Sequence, residues 1–115
     1  MNLHKKKGIG ILTYALNNKD CNYENIAYLM ALSYLATHKH KLPLAVVVND
    51  RQLCYKKLHD VFDHVISKKN MEAVNEMHHE AFLLHYTPFA ETIKIESDML
   101  FTSDTNHWIK HFRLW

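Results

Sequence analysis

Short apolar runs and polar clusters alternate along the chain in a way that predicts strands separated by helical segments. Ile9 to Tyr14 follows a basic start and precedes Asn17-Asn18-Lys19-Asp20, so it reads as a strand. Asn22 is a candidate N-cap, Glu24 favours the dipole in the first turn, and Tyr23 to His38 reads as a helix. That helix is apolar around most of its circumference, the pattern of a helix buried on two sides, and Pro43 follows it. Leu44-Ala45-Val46-Val47-Val48 shows no alternation, which marks a strand covered on both faces. Asn49-Asp50-Arg51 forms a loop, residues 52–60 a short amphipathic helix, and Phe62 to Ser67 a third strand. Glu72 to Tyr86 reads as a second long helix ended by Thr87-Pro88, and Glu91 to Ile95 as a fourth strand. A last helix after Thr105 would carry Trp108, Phe112 and Trp115.

Strands separated by helices imply right-handed crossovers and a parallel sheet. The expected fold is therefore α/β: a single Rossmann-like domain over residues 1–115, with a mainly parallel sheet of about four strands and helices on both faces. There are no internal repeats and no linker. In such sheets ligands lie outside the carboxyl ends of the strands, where strand order reverses. The loops after Tyr14, Val48 and Ile95 then share one rim, which brings Glu96 and Asp98 beside Tyr14-Ala15 and Asn49-Asp50.

Composition narrows the function classes. The chain has 115 residues, enough for one core but small for an enzyme with two substrates. A net charge of +2 gives no reason to expect strong nucleic-acid binding. Two cysteines, Cys21 and Cys54, make no disulfide framework and fit a reducing cytoplasm. The start, Lys5-Lys6-Lys7 before Gly8-Ile9-Gly10, does not read as a signal peptide, and Ile26 to Ala36 is too short to span a bilayer. The expectation is a cytoplasmic protein without a membrane anchor. Ten histidines would carry the formal charge to +12 if all were protonated; most are read as solvated.

The most informative stretch is Lys94-Ile95-Glu96-Ser97-Asp98-Met99, where an apolar strand stops at two acids one residue apart. Two hard carboxylates suit a Mg²⁺ or Mn²⁺ ion that also holds substrate phosphates. Acid-x-acid is a common pattern, and the same residues also serve as a loop cap and a turn start. Other candidates are weaker. His107 and His111 at i, i+4 share a helix face without a third ligand nearby, and His38-Lys39-His40-Lys41 reads as a basic helix end. Neither cysteine has a neighbouring histidine or carboxylate pattern that marks a nucleophile.

The stretch TPFAETIKIESDMLFTSDTNHWI, residues 87–109, resembles the acid-x-acid region of type A fold glycosyltransferases, particularly phage-encoded ones. GIGILTYALNNKDCNYENIAYLMALSYLAT resembles the first strand and helix of that group, and LAVVVNDRQ with VFDHVI its second and third strands. The resemblance implies a nucleotide-sugar-binding half-domain, with a UDP-sugar as the expected ligand and Mn²⁺ or Mg²⁺ as cofactor. It implies Asp98 as direct metal ligand and Glu96 as a metal or ribose contact. Tyr14 and Ala15 would approach the base, with Asn49 and Asp50 as further nucleotide contacts. A phage origin would put the protein in the host cytoplasm. The family's later part, with the acceptor site, has no counterpart before Trp115, and Glu96 stands where Asp is commoner. Sugar transfer is thus an open expectation beside non-catalytic nucleotide binding and an assembly role. A fold cut there would leave an open sheet edge and apolar surface near Phe101, Trp108 and Trp115. A homo-oligomer or partner chain is expected to cover it.

Overall fold

A computed structural model of the chain describes residues 8–68 and 87–105. Four strands, β1 (Ile9–Ala15), β2 (Leu44–Val48), β3 (His64–Ser67) and β4 (Glu91–Lys94), form one sheet in the order β3-β2-β1-β4. Each neighbouring pair is parallel, with Leu12 opposite Ala45 on one side and Lys94 on the other. The α/β, Rossmann-like expectation therefore holds. Both the helix expected over 72–86 and the last helix after Thr105 lie outside the described residues.

Strand alternation sorts the core into two layers. Ile11, Ala15, Val46, Val48, Val65 and Ile93 face α1 (Tyr23–Thr37), which sets Ala27, Met30, Ala31 and Tyr34 against them. Leu12, Ala45, Val47 and Phe89 form the opposite layer, with Tyr14, Leu16 and Ile66 at its margin. β2 is buried at all five positions, as its unbroken apolar run predicts. Gly10 in β1 is a close-approach glycine: a Cβ there would collide with the Phe89 ring.

Several element expectations need correction. α1 begins as expected, with the Asn22 side chain accepting from the Asn25 N–H at 3.3 Å, but it ends at Thr37 with His38 as its cap. Only one stripe of α1 is fully buried, and Leu29 and Leu32 are exposed. Residues 52–60 do not form one helix; turns lead into the four-residue α2 (Leu58–Val61). The reason is local competition for donors. Asp50 Oδ1 accepts from the Gln52 N–H at 2.9 Å, and the Tyr55 N–H goes sideways to Glu24 Oε1 at 3.0 Å. β3 starts at His64, because Phe62 caps α2 and Asp63 exchanges hydrogen bonds with Leu44. β4 ends at Lys94, although the Ile95 N–H still reaches Leu12 O at 3.0 Å.

After β4 the chain returns along α1. The Phe101 N–H donates to Ser33 Oγ at 2.9 Å, and the Phe101 ring packs edge-on against Tyr34 at 5.2 Å. Phe101 is thus half-buried against the core, and the exposed apolar side chains beside it are Met99 and Leu100. Trp108 and Trp115 lie outside the described residues. Among the described residues, no helix is long and apolar enough to cross a membrane.

Candidate functional site

Strand order reverses between β1 and β4, so the crevice expected of this topology opens between the loops that leave Ala15 and Lys94. The loop after β2 borders it, because β2 lies on the other side of β1.

The β1 loop is held by asparagines. The Asn17 N–H donates to Asn49 Oδ1 at 2.7 Å, which joins the ends of β1 and β2. Asn17 Oδ1 accepts from the Glu24 N–H at 3.1 Å, which joins the same loop to the start of α1. Asn18 Oδ1 accepts from the Asp20 and Cys21 N–H groups at 2.8 and 2.9 Å. Two first-turn donors of α1, those of Glu24 and Asn25, are therefore taken by side chains. The Glu24 carboxylate, itself buried, adds negative charge there. Two of the donors that hold phosphate at helix starts are therefore already engaged here, beside a buried carboxylate.

Glu96, Ser97, Asp98 and Met99 form a turn closed by the Met99 N–H donating to Glu96 O at 3.3 Å. Both acids are exposed on it, while Ser97 between them is buried. The positive charge Glu96 faces is Lys94, with Nζ 3.2 Å from its Oε1. The same ammonium stands 5.0 Å from the centre of the Tyr14 ring. Asp98 has a different neighbour, the Tyr23 phenol at the start of α1. That phenol titrates above its ordinary range, chiefly because of the charge of Cys21, then through desolvation, a hydrogen bond with Cys21 and the charge of Asp98. The pair thus shares one turn, with Lys94 beside one carboxylate and Tyr23 near the other.

Of the remaining predicted residues, Tyr14 lies half-buried at the margin of the second core layer, where its ring borders the rim. Ala15 is fully buried beneath α1, so its methyl belongs to the core. Asn49 spends its carbonyl on Asn17, and Asp50 caps the turn that follows β2. Lys94 and Asn17 were missed by the sequence reading. Lys94 was legible, since residues two apart on an extended chain share a side and Lys94-x-Glu96 is an opposite-charge pair. Asn17 could not be found that way, because both its partners come from distant elements.

The donor set decides what cation suits the turn. Among the described residues, no three His, Cys, Asp or Glu side chains come together as a closed metal site would require. Two exposed carboxylates match instead a hard cation that brings phosphate oxygens as its other ligands. Cys54 Sγ lies 3.9 Å from His59 Nε2, a proximity the sequence did not predict. Burial raises the thiol above its ordinary range, with Glu24 pushing the same way, so it is not an activated nucleophile. A cleft of about 630 Å³, lined by Leu35, Lys41, Leu42, Pro43, His59 and Phe62 among others, opens at the other end of β2, away from the rim. No protein-family model matches the chain, and no curated protein matches it.

Proposed function

We propose that the rim binds a nucleotide sugar, with a UDP-sugar as first choice, through Mn²⁺ or Mg²⁺ held between the diphosphate and the Asp98 and Glu96 carboxylates. The observation that carries this reading is the position of the acid-x-acid turn: it follows β4 directly, at the reversal of strand order beside β1. The state of α1 supports the cation. Its start has two donors engaged and a buried acid, so a diphosphate there needs positive charge from elsewhere. The cation would neutralise the diphosphate and make it a better leaving group. Lys94 holds Glu96 in place and would supply a second positive group to the bound phosphates. Tyr14 offers an aromatic face to the base, and Asn49 and Asp50 border it. Transfer of the sugar would in addition require an acceptor site.

The test is calorimetric titration with UDP and UDP-glucose, with and without Mn²⁺, on the wild type, Asp98→Ala and Lys94→Ala. Binding that requires the metal and disappears in Asp98→Ala is the expected result. Equal affinity with and without the metal, or an unaffected Asp98→Ala, would remove the cation from the reading; no binding to any nucleotide tested would remove the ligand class. A second reading, an assembly protein without a ligand, is favoured by one observation. Leu29, Leu32, Met99 and Leu100, on α1 and on the segment after β4, are all exposed. Light scattering across protein concentrations decides it.

A further inference from the structure

Among the described residues, His38 is the one buried histidine, and the rim does not use it. It caps α1, is 2% exposed and lies at the far end of the molecule from Glu96 and Asp98. Its ring stacks on Tyr34 at 4.1 Å and receives the edge of Phe101 at 5.2 Å.

The groups around the ring fix which nitrogen carries the proton. The Thr37 hydroxyl donates to Ser33 O at 2.7 Å, so its oxygen faces His38 Nδ1, 2.9 Å away, as an acceptor. Tyr34 O, 3.1 Å from Nδ1, can only accept. Nδ1 therefore carries hydrogen. On the other side the Thr105 N–H donates to Nε2 at 2.9 Å, which requires a lone pair there. The neutral ring with hydrogen on Nδ1 is the one form that satisfies all of these partners.

We propose that His38 is a pH-operated latch that holds the Thr105 amide against the end of α1 and releases it when the ring takes a second proton. A second proton must go on Nε2, where it meets the Thr105 N–H donor head-on. The hydrogen bond that ties the segment to the helix cap is then lost, and a charge is enclosed between Tyr34 and Phe101. The charged and titratable groups facing the ring, among the described residues, are Tyr34 on α1 and Asp104 on the returning segment, with Oδ1 4.0 Å from Nε2. Asp104 attracts the imidazolium through Oδ1, while its Oδ2 accepts from the Lys39 N–H at 3.2 Å. The Thr105 hydroxyl, 2.8 Å from Nε2, can take the new proton only if the Thr105 amide moves off the ring. Protonation therefore replaces one arrangement of the segment by another. The ties that remain are the Phe101 N–H to Ser33 Oγ and the Lys39 N–H to Asp104 Oδ2. The latch is independent of what the rim binds.

The experiment is NMR on the full-length ¹⁵N-labelled protein, wild type and His38→Gln. Glutamine can place a carbonyl where Nε2 stands and does not titrate. The imidazole ¹⁵N shifts at about pH 8 should show hydrogen on Nδ1 and a bare Nε2. Amide protection of Thr105, corrected for intrinsic exchange, should fall about tenfold or more on going to pH 5 in the wild type and hold in His38→Gln. Hydrogen on Nε2 at high pH, or Thr105 protection that does not change with pH, would overturn the proposal, and both are read on the wild type alone. Equal loss of protection in the variant would assign the response to another histidine.

Discussion

Thr13 and Gly10 lie three positions apart on β1 and so belong to opposite layers, and each breaks a packing rule in its own layer. The Thr13 hydroxyl is wholly buried, and among the described residues its oxygen has no hydrogen-bond partner. Such a group bears its full desolvation cost, so Thr13→Val is expected to raise stability by about 1 kcal/mol. Gly10 is the reverse case, since its missing side chain is space that Phe89 fills. The ring is 4% exposed and edge-on to His64 at 5.6 Å, so it cannot withdraw freely. Gly10→Ala is expected to cost about 1–3 kcal/mol through overpacking. Part of that loss should return in Gly10→Ala with Phe89→Leu, because the two positions share one contact. Urea unfolding at constant slope reads both effects. A destabilised Thr13→Val would mean that the hydroxyl has a partner; a neutral Gly10→Ala would mean that the ring is free to move.

Elements are joined here by side chains that reach into neighbouring loops as well as by apolar burial. Glu24 is the clearest case: it sits in the first turn of α1, 7% exposed, and accepts the Tyr55 N–H from the loop after β2. Glu24→Ala is expected to cost about 1.5–3 kcal/mol, since it leaves that amide without its charged acceptor. Glu24→Gln keeps a carbonyl in reach and should cost less than about 1 kcal/mol. Equal losses in the two variants, by chemical denaturation, would show that the carboxylate serves only the helix dipole. The sequence reading assigned it that dipole role and missed the bond, because a first-turn acid looks the same whether solvated or buried. The same limit explains what was legible. β2, with its five apolar residues, and α1, with Asn22 at its start, declare themselves through local pattern, and the rim follows from topology. The break-up of residues 52–60 did not, because its cause is a distant acceptor, and His38 looked like one of a basic run until Thr105 was found against it. Of the candidate site, Glu96 and Asp98 were visible as a spacing, whereas the Lys94 charge beside Glu96 required the period of a strand to be applied to charges as well as to apolar residues.

At the scale of the whole molecule, α1 is pinned at both ends by groups that resist deprotonation. Beyond its first turn lies Cys54, whose thiol burial raises above the ordinary value of 9.0, with Glu24 adding to the shift. In its last turns lies Tyr34, raised above 10.0 first by burial and also by Asp104, against a lowering by the hydrogen bond it accepts from Leu42. Both groups hold their protons more tightly folded than unfolded. Their contribution to stability is therefore complete below the unfolded values, and it is lost as pH climbs past them through the folded ones. The expected alkaline behaviour has two stages, a loss beginning above pH 9.0 from Cys54 and a further one above pH 10.0 from Tyr34, to which Tyr23 adds in the same direction. Cys54→Ser and Tyr34→Phe each lower stability at neutral pH, the second by about 1 kcal/mol because the Leu42 N–H loses its acceptor. The diagnostic quantity is the slope. Cys54→Ser should flatten the first stage and leave the second, and Tyr34→Phe the reverse, when unfolding midpoints are followed from pH 8 to pH 11. Parallel curves for all three proteins would place the alkaline loss in other groups and leave the two ends of α1 uninvolved.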